Sequence, residues 1–98
     1  MDLVKALYES LLEKIEFEKR SLDSCEKYVK KSEEGYKSFI ETISRVKKFI
    51  KEEIDQKNNA FYKMRRVPQR YLKNIDKERL NLLKRIEILE SKYVNTHR

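Results

Sequence analysis

The residues best suited to chemistry are the cations and aromatic rings of the stretch FYKMRRVPQRYLK, residues 61–73. Five lysines and arginines stand there without a carboxylate, among three aromatic residues and the only proline of the chain. Guanidinium groups bind phosphate oxygens in a bidentate manner, and aromatic rings stack on unpaired bases. This combination is typical of a surface that binds the phosphate backbone of DNA or RNA.

The net charge of the chain is concentrated around this stretch. Residues 1–57 contain 13 basic and 13 acidic residues, whereas residues 58–98 contain 11 basic and 4 acidic ones, so the whole excess of +7 lies in the second part. No acidic residue occurs between Asp55 and Asp76. The residues predicted to bind a polyanion are Lys57, Phe61, Tyr62, Lys63, Arg65, Arg66, Arg70, Tyr71 and Lys73.

Two other interpretations of these cations remain open. The dipole of a helix favours each cation in its last turn by about 0.3–1 kcal/mol, which accounts for the cations before Val67 but not for Arg70 at the start of the next helix. The cluster could also dock on an acidic protein surface, such as residues 33–34 or 52–55 of another subunit. Because it fits no specific nucleic-acid motif, we expect backbone contacts with little reading of sequence.

The sequence contains no recognisable catalytic or cofactor motif. It lacks a glycine-rich phosphate loop and a Ser/His/Asp set, and its only histidine is His97, near the C-terminus. Its only cysteine, Cys25, cannot form an internal disulfide, and we expect it to be buried. We therefore predict a non-enzymatic protein without a metal, a cofactor or a small-molecule substrate.

Apolar residues recur every 3.5 positions through the first half of the chain. Steps of four and three from Val4 to Ile50 give one wholly apolar track and a second one weakened at Glu18 and Ser32. A repeat of this length is typical of coiled-coil packing. The predicted seam consists of Tyr8, Leu11, Ile15, Leu22, Val29, Tyr36, Phe39, Ile43, Val46 and Ile50.

One glycine and one proline in 98 residues predict an all-α fold with few, long helices. The seam fits one long helix or a helical hairpin bent near residues 32–35, where Gly35 suits the position just past a helix end. The unbroken register favours the single helix. The pattern weakens after Ile50, and Asn58-Asn59 indicates a loop. We predict one domain, with the seam in residues 1–57, a basic joint in 58–73 and a C-terminal helix in 74–96.

The seam also suggests what the chain associates with. Its apolar stripe is longer than the C-terminal helix can cover, which favours self-association, most simply as a homodimer packed as a coiled coil or helical bundle. No apolar run approaches the ~18 residues of a transmembrane helix, and the charged N-terminus is unlike a signal peptide. We therefore expect no membrane partner and a cytoplasmic location, in a cell or host cell. The expected function is nucleic-acid binding, and the alternative is a protein–protein adaptor or assembly scaffold.

Overall fold

The structure is a computed structural model that describes residues 2–95. The predicted all-α fold is confirmed, and no strand occurs among these residues. The α-helices are α1 (Leu3–Tyr28), α2 (Glu33–Phe49), α3 (Asp55–Lys63) and α4 (Gln69–Leu89), and π-helical turns follow two of them at Ile50–Ile54 and Glu90–Val94. The predicted helix end at residue 96, and His97, lie outside the described residues.

The helices form three long rods in an elongated bundle of 49 × 22 × 18 Å. The middle rod consists of α2, the first π-helical turn and α3, which follow one another without a break. The four residues 29–32 connect α1 to α2, and so short a connection makes the two helices antiparallel neighbours. The rods α1 and α4 run parallel, because Tyr8 stacks on Tyr71 at one end and Asp23 pairs with Arg85 further along.

The first half of the chain is therefore a hairpin, and the single helix that the unbroken register favoured is wrong. The hydroxyl group of Ser32 caps α2 by accepting a hydrogen bond from the N–H of Gly35 at 3.0 Å. Gly35 lies in the first turn of α2 and has no positive φ, so it is not the left-handed residue that we predicted. Its role is close approach, because a Cβ atom there would overlap the carbonyl oxygen of Tyr28.

The predicted seam forms the core of this single chain. All its residues are buried except Tyr8 and Tyr36, which are half-buried. Residues of α3 and α4, among them Phe61, Ile75 and Leu82, complete the same core. The stripe that the C-terminal helix was too short to cover is thus covered by the hairpin itself. Homodimerisation stays a prediction, but an uncovered stripe no longer supports it.

The apolar pattern changes phase after Ile50 instead of ending there. Steps of three and four would next place Glu53 and Lys57 on the seam, and both of these are half-exposed. The π-helical turn inserts one additional residue at this point. As a result Ile54 and Phe61 face the core, and both are almost completely buried.

The middle rod ends at a linker formed by residues 64–68. Asn58-Asn59 belong to α3, so the loop predicted there is wrong. The N–H of Met64 closes α3 by donating to the carbonyl three residues earlier at 3.1 Å, and Pro68 immediately precedes α4 with an extended backbone. The segment 58–73 consequently contains the end of α3, the linker and the start of α4.

Polar groups on the seam have defined partners. Glu18 is buried between α1 and α2, and both of its carboxylate oxygens accept hydrogen bonds from Nη1 of Arg45, at 2.7 and 2.9 Å. The guanidinium group of Arg45 is half-exposed and lies 5.8 Å from the ring centroid of Phe17. Cys25 is buried, as expected, and its Sγ lies 3.3 Å from the carbonyl oxygen of Leu22. Burial raises the pKa of this thiol.

Candidate nucleic-acid interface

The predicted binding residues other than Lys57 gather at one end of the bundle, because the linker joins α3 to α4 there. The start of α1 lies at the same end, since Tyr8 stacks on Tyr71. A cleft of about 490 Å³ beside this stack is lined by Lys5 of α1 and Arg70 of α4, among others. Five exposed cations define what we call the basic end: Lys63, Arg65, Arg66, Arg70 and Lys73.

The five cations of the basic end have no acidic partner within residues 2–95, either as an ion pair or as a hydrogen bond. Other cations of α4 are paired: Arg79 donates to Asp55 at 2.7 Å and Arg85 donates to Asp23 at 2.7 Å. The guanidinium group of Arg70 lies 5.4 Å from the ring centroid of Tyr71, which is a cation–π distance. The charge of these five cations is therefore not neutralised by carboxylates of the described chain.

The helix ends at this surface fit the cations unequally. Lys63 lies in the last turn of α3, where the helix dipole favours a cation. Arg65 and Arg66 follow the end of that helix. Arg70 lies in the first turn of α4, which contains no acidic residue and no side-chain cap. The dipole is positive at this terminus and disfavours a cation there. Helix-end electrostatics thus accounts for Lys63 and leaves the other cations unexplained.

The three predicted aromatic residues of this stretch lie in different environments. Phe61 is 2% exposed and belongs to the core. Tyr71 is 7% exposed and stacks on Tyr8, with ring centroids 3.9 Å apart and planes 4° apart. Tyr62 is 59% exposed, and its hydroxyl group donates to Asp76 at 3.4 Å. Among the three, Tyr62 presents an accessible ring, whereas Phe61 and Tyr71 hold the basic end together from within.

Lys57 lies apart from the basic end. Its ammonium group is 3.6 Å from the carboxylate of Glu53, which is also 3.6 Å from the ammonium group of Lys14. The carboxylate of Glu53 therefore links the middle rod to α1. Lys57 therefore has an acidic partner and does not belong to the basic end.

The structure extends the cationic surface along α4 with residues that the sequence analysis missed. Exposed side chains on one face of this helix follow Arg70 in steps of three and four. Leu80 occupies one of these positions, and Glu87 ends the series. The cations of this face, which we call the outer stripe, are Arg70, Lys73, Lys77 and Lys84. Their spacing is visible in the sequence, but the predicted helix began at residue 74 and separated the first two from the others.

Within residues 2–95, no group of three or more His, Cys, Asp or Glu side chains is arranged to hold a metal ion. None of the helices described is both long enough and apolar enough to cross a bilayer. Comparison of the chain with protein-family models, with curated proteins and with solved structures finds no match. The interpretation of the basic end therefore depends on the geometry and charge of this chain alone.

Proposed function

We propose that this chain is a small, non-enzymatic helical protein that binds nucleic acid through backbone phosphates at the basic end, in the cytoplasm of a cell or host cell. The observation that supports this function is the set of five exposed cations without an acidic partner around the linker and the N-terminus of α4. Arg70 lies in the first turn of α4, where the helix dipole opposes a cation, and none of the five cations has an acidic partner within residues 2–95, so ion pairing within the described chain does not explain them. A bound phosphate would neutralise them and release counterions.

The side chains of the basic end suit phosphate better than bases. Arg65, Arg66 and Arg70 each carry a planar fork that can hold two oxygens of one phosphate group. The ring of Phe61 is buried and that of Tyr71 is covered by Tyr8, which leaves few groups to distinguish one base from another. Binding is therefore expected to depend strongly on salt and weakly on sequence.

Simultaneous replacement of Arg65, Arg66 and Arg70 by alanine tests this function. Each lost phosphate contact reduces the slope of log K against log salt by about 0.9 on a duplex. Three lost contacts reduce the magnitude of this slope by about 2.7. Between about 50 and about 200 mM salt, the fold-loss of affinity should therefore be about 40 times smaller for the variant than for the wild type. Fluorescence anisotropy with labelled duplex and single-stranded probes measures both slopes.

A charge-matched control separates local contacts from net charge. Arg20, Lys37 and Lys48 are exposed cations of α1 and α2, and their replacement by alanine lowers the net charge of +7 by the same three units. This control should retain most of the wild-type slope. Equal losses in the two triple variants, or no binding of either probe by the wild type at low salt, would refute the proposed function.

An adaptor that docks on an acidic protein surface is the second candidate. It is favoured by Tyr62 and Met64, which are exposed beside the cations of the basic end. Tyrosine, methionine and arginine are enriched at protein–protein interfaces. A wild-type protein that binds neither nucleic-acid probe at low salt would leave this candidate in place.

A further inference from the structure

We infer that the ligand of the basic end is duplex DNA, and that the outer stripe of α4 forms part of the surface that binds it. This inference rests on the proposed function and goes beyond it in naming the form of the nucleic acid and two additional contact residues, Lys77 and Lys84. It follows from the environment of the aromatic rings, the arrangement of charge along α4 and the charge density of the possible ligands.

A single strand would find little to stack on at this surface. Proteins that bind single strands combine a cationic groove with exposed aromatic rings, and each stacked base contributes about 1–3 kcal/mol. Here Phe61 is in the core and Tyr71 is covered by Tyr8, so Tyr62 is the accessible ring of the predicted set. The stabilisation that single-stranded ligands gain from successive stacked bases is largely missing.

The outer stripe provides a straight, rigid row of positive charge. Arg70 and Lys84 are separated by about 21 Å along a helix that rises ~1.5 Å per residue. The opposite face of the same helix is anchored in the core by buried residues such as Ile75 and Leu82, so the row keeps its geometry without a ligand. Because successive phosphates of one strand are spaced ~3.4 Å along the axis, a row of this length spans about six base pairs of a duplex.

Two acidic residues of α4 are engaged on the flanks of this row, and a third, Glu87, lies on the row itself after Lys84. Asp76 accepts a hydrogen bond from Asn58 at 2.9 Å, and Glu78 pairs with Lys19 of α1. Within the described chain, Lys77 and Lys84 have no acidic partner. The face between the two acidic flanks therefore presents positive charge to a ligand, with Leu80 as its apolar interruption.

Each contact of this kind releases more counterions on a DNA duplex than on a single strand. Each neutralised phosphate contributes a salt slope of about 0.9 on B-DNA and about 0.7 on single strands. Duplex RNA places its phosphates around a deep, narrow major groove that does not admit a helix. The major groove of B-DNA is ~12 Å wide and accepts a helix face such as the one α4 exposes.

The experiment compares the pair of substitutions Lys77→Gln and Lys84→Gln with a control pair, Lys37→Gln and Lys48→Gln. Three probes of one sequence are used: a DNA duplex, its single strand and the corresponding RNA duplex. We expect the wild type to bind the DNA duplex more tightly than the single strand and with a steeper dependence on salt. The stripe pair should reduce the magnitude of the slope of log K against log salt on that duplex by about 1.8. Between about 50 and about 200 mM salt, the fold-loss of affinity should therefore be about ten times smaller for the stripe pair than for the wild type.

The outcomes separate this inference from the proposed function. Equal or tighter binding of the single strand or of the RNA duplex overturns the inference and leaves phosphate binding by the basic end intact. A stripe pair with the same slope as the control pair does the same. Absence of binding to all three probes overturns both. If the glutamine pair fails to fold, the single substitution Lys84→Gln must reduce the magnitude of the slope on the DNA duplex by about 0.9 relative to Lys48→Gln, and an unchanged slope overturns the inference.

Discussion

Replacement of Gly35 by alanine distinguishes the hairpin from a continuous helix by the sign of its effect on stability. Inside a continuous helix alanine is more favourable than glycine by about 1 kcal/mol, so the substitution would stabilise the protein. In the hairpin the first turn of α2 lies against the end of α1. The new Cβ atom would overlap the carbonyl oxygen of Tyr28 and lie 3.0 Å from its carbonyl carbon. The hairpin therefore predicts a loss of stability.

We expect a net loss of about 2 kcal/mol. Insertion of a methyl group into a filled site costs about 1–3 kcal/mol. The upper part of this range applies, because the neighbouring group is backbone and relief requires movement of residues 29–32. The higher helix propensity of alanine returns at most about 1 kcal/mol. For a domain of 98 residues, a loss of about 2 kcal/mol lowers Tm by roughly 8–16 °C.

Thermal unfolding followed by circular dichroism measures this change. The control is Lys37→Ala, an exposed position two residues further along α2, where we expect a change within about 0.5 kcal/mol. A Gly35→Ala protein that is as stable as the wild type, or more stable, would refute the hairpin.

Ile43 is buried in the core of one chain, so Ile43→Glu should unfold that chain at any concentration instead of dissociating an oligomer. Circular dichroism measures the loss of helix, and a variant that remains helical would contradict the assignment of Ile43 to the core. A separate measurement tests the homodimer: sedimentation gives the mass of the wild type in solution, which is compared with the chain mass of 12.0 kDa. Burial alone would raise the pKa of Glu26, but hydrogen bonds from Tyr93 and Arg85 outweigh burial and hold this pKa below its ordinary value of 4.5. The ionised carboxylate therefore stabilises the fold fully above that value, so the stability lost in Glu26→Gln, measured by urea unfolding at several pH values, should shrink as pH falls below about 4.5, and a pH-independent difference would contradict this.

Periodicity in the sequence identified the buried residues but not the path of the chain between them. Val29 and Tyr36 are seven residues apart and face the core on either side of the turn, so the heptad register is the same for a hairpin and for one long helix. The local signal for the turn was the cap. Ser32 precedes two glutamates, and this order is typical of a helix N-terminus. The sequence analysis treated Gly35 as the end of a helix and did not consider Ser32 as the start of one, so the signal for the turn was missed.

The phase change after Ile50 could not be predicted from the spacing of apolar residues alone. A π-helical turn is rare and interrupts the regular geometry of an α-helix. A prediction from sequence therefore assumes that the regular steps continue. The turn becomes favourable here because it places Ile54 and Phe61 in the core. That benefit depends on α4 being packed against the middle rod, which is information about tertiary structure.

The position of the cationic cluster could be predicted from the sequence, whereas the state of each of its residues could not. Whether a ring is accessible depends on residues far away along the chain. The ring of Tyr71, for example, is covered by Tyr8. The same holds for charge, since Asp55 engages Arg79 across the bundle. The composition does not distinguish one cation from another. The fold determines which cations pair with carboxylates and which face solvent.

This division is the physical basis for expecting an external anion. The flanks of α4 place Arg79 and Arg85 against carboxylates of α3 and α1, where their charge stabilises the bundle. The outer stripe and the basic end have no such partner within residues 2–95, and Arg70, which belongs to both, lies at the positive terminus of α4. A phosphate backbone would supply the negative charge that these cations lack within the described chain, and its binding would release counterions. Part of the binding free energy would thus come from cations that the fold holds at the surface without a carboxylate partner.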